Sequence, residues 1–247
     1  VPVLRVLYTI FSLTMVAKSL ITFRFCQETR QGKIRRAETK NVSVAHMLAE
    51  YKHLIPQVLR NGGVMKAVAV SVILYIANIV STNCFSLYVT QRLGISDEFL
   101  AVFPIVNAAV TLVFLVGVQH RLSGVRFRLP MWAGLGLQAG AALLLILTPL
   151  GNLGCVLVYV LMIAVAGALV NPRKEALIQL NIDPQERARI NALIMASTIA
   201  FSAPFGYLTG WLSSIDRRLP FAFMIALYIV AIVIVGRIRE PETEGEA

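Results

Sequence analysis

The sequence predicts an all-α, polytopic membrane protein with seven transmembrane helices, and three observations carry that prediction. Of its 247 residues 57% are hydrophobic and 15% charged, with a mean hydropathy of +0.73, which leaves too little polar surface to cover a water-soluble core. The apolar residues gather into seven stretches of about 20, the length a helix needs to cross a hydrocarbon layer of ~30 Å. None of these stretches alternates polar and apolar residues as a barrel strand does, and a backbone in lipid must satisfy its own hydrogen bonds.

Taken in order, the spans cover about Leu4–Phe23, Val68–Val89, Phe99–Val118, Leu129–Leu147, Leu153–Val170, Ile190–Leu212 and Leu219–Gly236. Pro130 and Pro220 fall near helix starts, where a missing N–H is tolerated. Between the first two spans, the segment Arg24–Lys66 is polar and basic as far as Lys40 and reads as a solvated linker. From Ser43, a suitable N-cap, Val44, Met47, Leu48, Tyr51, Leu54, Ile55, Val58 and Leu59 recur at three- and four-residue intervals, so they form the stripe of an amphipathic helix that Pro56 bends. Its partner is either the membrane interface or the protein's own helix ends. Gly136 with Gly140, and Gly206 with Gly210, have the spacing that permits close helix approach, and Pro204 removes a helical hydrogen bond beside the second pair. Pro204 is therefore a candidate hinge, with simple packing as the plainer role.

The loops fix an expected orientation. Seven spans divide the loops between two sides, and 18 of the 23 Lys and Arg fall on one of them: nine in residues 24–66, three in 121–128, four in 173–189 and two in 237–239. The other side holds only Arg5, Arg92, Arg217 and Arg218, and Lys18 lies within the first span, near enough to its end to snorkel. Cytoplasmic loops carry the basic excess, so the C-terminus is expected in the cytoplasm and the N-terminus outside. The chain opens at Val1 with no Met, charged n-region or cleavable signal, and an upstream membrane segment is expected to deliver it to that side.

Several function classes fall away. A net charge of +10 suggests nucleic acid in a soluble protein, but the loop bias accounts for it here, with attraction to anionic membrane lipid as a by-product. Cys26, Cys84 and Cys155 are odd in number and far apart, and His46, His53 and His120 have no metal-ligand spacing, so neither a disulfide framework, a metal nor a cofactor is implied. No span carries a His, Cys, Asp or Glu constellation suited to acid–base or nucleophilic work, so no enzyme is expected.

Three segments carry a resemblance. Asn171-Pro172-Arg173-Lys174-Glu175-Ala176 ends the fifth span, and Asp183-Pro184-Gln185-Glu186-Arg187-Ala188-Arg189 opens the sixth. Gly117-Val118-Gln119-His120-Arg121-Leu122-Ser123-Gly124 joins the third and fourth. These resemble the basic cytoplasmic loops of the major facilitator superfamily of secondary transporters, although His120 stands where that family usually has Asp. The resemblance extends over essentially the whole chain. It implies that residues 1–23 are the last helix of a preceding N-terminal half, 24–66 the linker between halves, 67–236 a six-helix C-terminal half-bundle and 237–247 a cytoplasmic tail. It also implies a small-molecule substrate moved by alternating access, as in efflux of a drug or metabolite, with a plasma-membrane location. A seven-helix receptor has the same topology. Against it, Leu219–Gly236 contains no Lys for a retinal Schiff base, and Asn171-Pro172 runs into Arg173-Lys174-Glu175 and not into a receptor-like Tyr motif.

By the same resemblance, the second, third, fifth and sixth spans line a cavity. Tyr75, Asn78 and Thr82 share a helix face near mid-depth, Asn107 and Thr111 lie one turn apart, Tyr159 belongs to the fifth span, and Ser197 and Phe201 occupy one face of the sixth. Each could instead do no more than bond a neighbouring helix, worth ~0.6 kcal/mol on average. Gln138 reads as a packing contact, and the seventh span as lipid-facing. Arg121, Arg173, Glu175, Asp183 and Arg187 are candidate cytoplasmic gate charges. No Asp or Glu lies within a predicted span, so a coupling proton, if one is used, is expected to ride on a carboxylate of the other half. Asn, Thr, Tyr and Phe suit a neutral or amphiphilic substrate better than a strongly anionic one.

Overall fold

The structure, a computed structural model, describes residues 2–25, 56, 62–117, 128–180 and 187–238. Apart from Pro56, the predicted amphipathic helix lies outside these residues, as do Arg121 and Asp183. The chain divides into two units, one ending at Lys52 and the other beginning at His53. In the first, α1 spans Pro2–Phe25, and three of its hydroxyls are satisfied by its own backbone: Thr14, Ser19 and Thr22 donate to the carbonyls of Ile10, Met15 and Lys18 at 2.8–2.9 Å. That is the arrangement a polar side chain adopts where no water is at hand.

The second unit holds α2 (Gly62–Leu87), α3 (Val102–Gly117), α4 (Arg128–Leu147), α5 (Leu153–Leu180), α6 (Arg187–Ile215) and α7 (Leu219–Gly236). Among the described residues these six are long and apolar enough to cross a membrane. The chain is an integral, all-α, polytopic membrane protein.

Several boundaries differ from expectation for one reason: the predicted spans stop at the first charges, whereas a helix continues past the lipid wherever its backbone bonds continue. Thus α2 starts at Gly62 and carries Lys66. Likewise α5 does not end near Val170 but runs through Pro172, Arg173, Lys174 and Glu175 to Leu180. The expected loop at Asn171–Ala176 is helical. Pro172 removes one backbone donor within α5 without ending it.

Where α2 ends, a π-helical turn at Tyr88–Arg92 drives Tyr88 into the core. Its hydroxyl donates to the Leu145 carbonyl at 3.1 Å, and its ring meets Phe221 edge-on at 4.9 Å. Gly94 and Gly151 both adopt φ +72, the left-handed region that favours glycine, and the Gly151 amide donates to Leu93 O at 2.7 Å, joining two loops. A 3-10 turn, Asp97–Ala101, precedes α3, and Ser96 caps it by accepting from Glu98 N.

Within the second unit, α4 packs between α5 and α7, α3 packs on α5, and α2 packs on α6 and α7 with a lighter contact to α5. Exchanging α2, α3 and α4 with α5, α6 and α7 maps these pairs onto one another: α2–α6 onto α5–α3, α2–α7 onto α5–α4, and α4–α7 and α2–α5 onto themselves. Only the α6–α7 contact stands outside that pairing. Three crossings per triplet mean that the second triplet starts from the opposite side, so the two are inverted with respect to each other. Val70, Val80, Met131, Leu135, Leu145, Val156, Phe221 and Met224 are completely buried between these helices.

Close packing falls on a different glycine from those expected. A Cβ at Gly134 would lie 2.5 Å from Val170 Cγ2 and 3.1 Å from Leu169 Cβ, so α4 and α5 touch there. Gly136, Gly206 and Gly210 have open space around the Cβ position, and Gly140 has only an ordinary contact with Met162. Four-residue spacing puts glycines on one helix face but does not say which way the face points.

Two basic side chains finish α7. Arg128 Nη2 donates to Gly236 O at 2.8 Å and Lys66 Nζ to Arg237 O at 2.7 Å. Both satisfy carbonyls at a helix C-terminus and place positive charge at its negative pole. They also gather the starts of α2 and α4 and the end of α7 at one basic end of the bundle. At the other end, Arg217 from the α6–α7 turn donates to Gln91 at 2.7 Å.

Candidate functional site

A cleft of about 840 Å³ runs into the six-helix bundle. Its walls are α2, α3, α5 and α6, with one residue each from α4 and α7. On α2 the facing residues are Ser71, Leu74, Tyr75, Asn78 and Ser81, which follow the three- and four-residue rhythm of a helix face. Asn107 and Thr111 face it from α3, Asn171, Lys174 and Glu175 from α5, and Asn191, Met195 and Thr198 from α6, while Gln138 and Tyr228 close the back.

The lining residues lie between mid-bundle and the basic end. Beyond them the helices are sealed by aromatic rings. Phe85 stacks on Tyr159 at 5.3 Å and meets Phe103 edge-on at 5.6 Å, and Tyr88 packs against Phe221 at the next level. Ser81, on the cleft wall, lies 3.5 Å from the Tyr159 hydroxyl and joins the wall to this seal.

Of the residues expected to line a cavity, Tyr75, Asn78, Asn107 and Thr111 do so, with Thr111 Oγ1 donating to Asn107 Oδ1 at 3.3 Å. Thr82, Tyr159, Ser197 and Phe201 do not line the cleft. Thr82 is exposed one position beyond Ser81, which takes the wall. Tyr159 is buried in the aromatic seal. On α6 the facing set is Asn191, Ile194, Met195, Thr198 and Ile199, so the expected face, Ser197 and Phe201, is rotated by about the 100° between neighbouring residues. Phe201 is 65% exposed.

The charges are also rearranged. Arg173 is buried, with Nη1 donating to the Leu169 carbonyl one turn back at 3.0 Å, and is not a lining residue. Glu175 lines the cleft and pairs with its neighbour Lys174 at 3.0 Å. Arg187 begins α6, but its side chain is outside the described set. Pro204 lies inside α6, exposed and away from the cleft.

Sequence reasoning missed Ser71, Ser81, Gln138, Asn171, Lys174, Asn191, Thr198 and Tyr228. Asn171 and Lys174 were assigned to a loop, although the helical rhythm continues unbroken from Ile163 to Ile178. Gln138 is not merely a packing contact, since it meets the cleft and its Oε1 has no partner. Nor is α7 simply lipid-facing. It buries Phe221, Met224, Tyr228, Ala231 and Val235 on one stripe and exposes Ile229, Val230 and Val233 on another.

Chemically, the cleft offers amides, hydroxyls and two tyrosines beside one ion pair. Among the described residues, no cluster of three or more His, Cys, Asp or Glu could hold a metal. The fold and the cleft define the class: an all-α, polytopic membrane protein whose helical bundle holds a cleft with polar groups on a partly apolar wall. No protein-family profile, curated protein or solved structure matches the chain.

Proposed function

We infer that the chain is the C-terminal portion of a secondary active transporter of the major facilitator type, moving a small molecule across the membrane by alternating access. One observation carries this reading: a cleft with polar groups on its wall, formed by four helices, reaches from one end of the bundle to mid-depth and stops at an aromatic seal. Such a cleft offers a solute a site at the bilayer midplane, where secondary transporters bind their cargo. The inverted pairing of α2–α4 with α5–α7 adds support, because inverted three-helix repeats are how a half-bundle of this type is built.

In this reading residues 67–236 form one half, 1–23 end the other half, 24–66 join the two, and 237–247 are a cytoplasmic tail. The basic end faces the cytoplasm of the plasma membrane, so the conformation is inward-facing. Among the described residues Glu175 is the one carboxylate on the cleft wall. It is well exposed and paired with Lys174, so it is not the membrane-buried carboxylate that proton carriers use. A coupling proton therefore rides on the other half.

Sided thiol labelling tests the cleft. In a background with Cys26, Cys84 and Cys155 replaced by Ser, single cysteines at Asn78, Asn107 and Thr198 are expected to react in inside-out vesicles with a charged, impermeant maleimide. Cysteines at the outward-facing Val113, Ile229 and Val233 are expected to stay unreacted. Equal reactivity of the two sets would refute a water-filled cleft open to the cytoplasm.

A further inference from the structure

Two polar side chains on the cleft wall are nine-tenths buried and each carries an oxygen without a hydrogen-bond partner among the described residues. Gln138 on α4 is 9% exposed and Ser71 on α2 is 7% exposed, and among the described residues Gln138 Oε1 and Ser71 Oγ make no hydrogen bond. A buried polar atom without a partner costs about 1–3 kcal/mol. Native structures reserve such atoms for strain, catalysis or an absent ligand or water. The two sit on different helices and both line the one cleft.

The chemistry of the wall narrows what can occupy it. Its uncharged polar side chains are amides and hydroxyls, Asn78, Asn107, Asn191 and Thr198 among them, set between apolar ones such as Leu74, Ile163 and Ile194. Each amide or hydroxyl can both donate and accept. A carboxylate only accepts and an ammonium only donates, so either wastes half of such a wall, whereas a hydroxyl does both. Among the described lining residues the only charges are Lys174 and Glu175, which neutralise each other at 3.0 Å. Nothing there is left to compensate a buried ionic charge. The volume of about 840 Å³ lies within the ~300–1,000 Å³ of small-molecule sites.

We propose that the cleft binds an uncharged, hydroxyl-rich solute, with Gln138 Oε1 accepting from one of its hydroxyls and Ser71 Oγ bonding another. This rests on the transport reading and deepens it by naming the class of cargo.

The test uses a matched set of radiolabelled probes, with glucose and sorbitol as neutral polyols, gluconate as the anion and glucosamine as the cation. Binding to the purified full chain is measured by scintillation proximity at millimolar probe, and thermal unfolding of the ligand-free variants is followed in parallel. Glucose or sorbitol is expected to bind in preference to both charged relatives. Gln138→Leu and Ser71→Ala are each expected to weaken that binding about three- to tenfold. Ligand-free, both variants should melt no lower than the parent, because they remove an unsatisfied buried group. A merely structural role would lower the melting temperature instead.

Preference for gluconate or glucosamine, binding of none of the four, or undiminished binding by both variants would each overturn the proposal. Labelling of Asn78→Cys requires no solute and separates the two readings. If that cysteine still reacts while the polyols fail to bind, the cargo class is wrong and the cleft stands; if it does not react, the transport reading itself falls.

Discussion

Gly134 shows how tightly one atom can be constrained. A Cβ there meets Val170 at 2.5 Å and Leu169 at 3.1 Å, so a large side chain must push α4 away from α5. Overpacking of this kind costs typically about 1–3 kcal/mol. Gly134→Leu is therefore expected to lower the unfolding temperature, while Gly136→Leu, with open space around it, leaves it unchanged. Tyr88→Phe keeps the ring on Phe221 but loses the 3.1 Å bond to Leu145 O, and about 0.5–1.5 kcal/mol of stability should go with it. Glu175→Gln breaks an ion pair whose carboxylate is exposed and whose Lys174 is half-buried. Such pairs are worth about 0–1 kcal/mol, so thermal unfolding should barely move, and a larger drop would show that Glu175 holds the mouth of the cleft by more than Lys174. At this scale the sequence was partly legible. The types expected on the wall, Asn and Tyr above all, are there, but Gln138 and Ser71 are not marked by any motif, since what distinguishes them is an oxygen without a partner.

Helix by helix, legibility followed the cause of each boundary. The bounds of α7 match expectation at both ends, because charged Arg218 and Arg237 flank an unbroken apolar run. For α5 hydropathy stops before the helix does, and Asn171, Lys174 and Glu175 were lost to a supposed loop. The cleft-facing stripe of α6 came out one residue off, because Ser197 and Thr198 are equally polar and only packing selects between them. A proline tests the conformational claim at this scale. Pro204 leaves the Ala200 carbonyl without its helical donor inside α6, and a helix weakened there bends more easily. If it is the hinge, Pro204→Ala should slow labelling of Asn78→Cys from the outside and leave labelling from the cytoplasm unaltered; rates unchanged from both sides would reduce it to a static bend.

For the whole molecule, membrane residence followed from composition and span length alone, and six helices bear it out. The inverted pairing of the two triplets could not be read from the chain. It resides in which helices touch, and the two triplets share no repeated motif that would announce it. The loop charges gave an expected orientation, and the structure adds a local role for two of them, since Lys66 and Arg128 finish α7. Lys66→Ala and Arg128→Ala together should therefore lower stability as well as weaken the charge bias, whereas the same pair changed to Ala and compensated by new Lys in residues 24–40 should restore the orientation and not the stability.

The central claim is that one cleft is exposed alternately to the two sides of a membrane, and the most direct measurement is the sidedness of Asn78→Cys. The impermeant maleimide is applied to right-side-out and to inside-out vesicles carrying this single cysteine. The account predicts reaction from both sides, fast from the cytoplasm, where the cleft stands open, and slower from the outside, where Phe85, Phe103 and Tyr159 must first part. Reaction from one side only, however long the exposure, would contradict it.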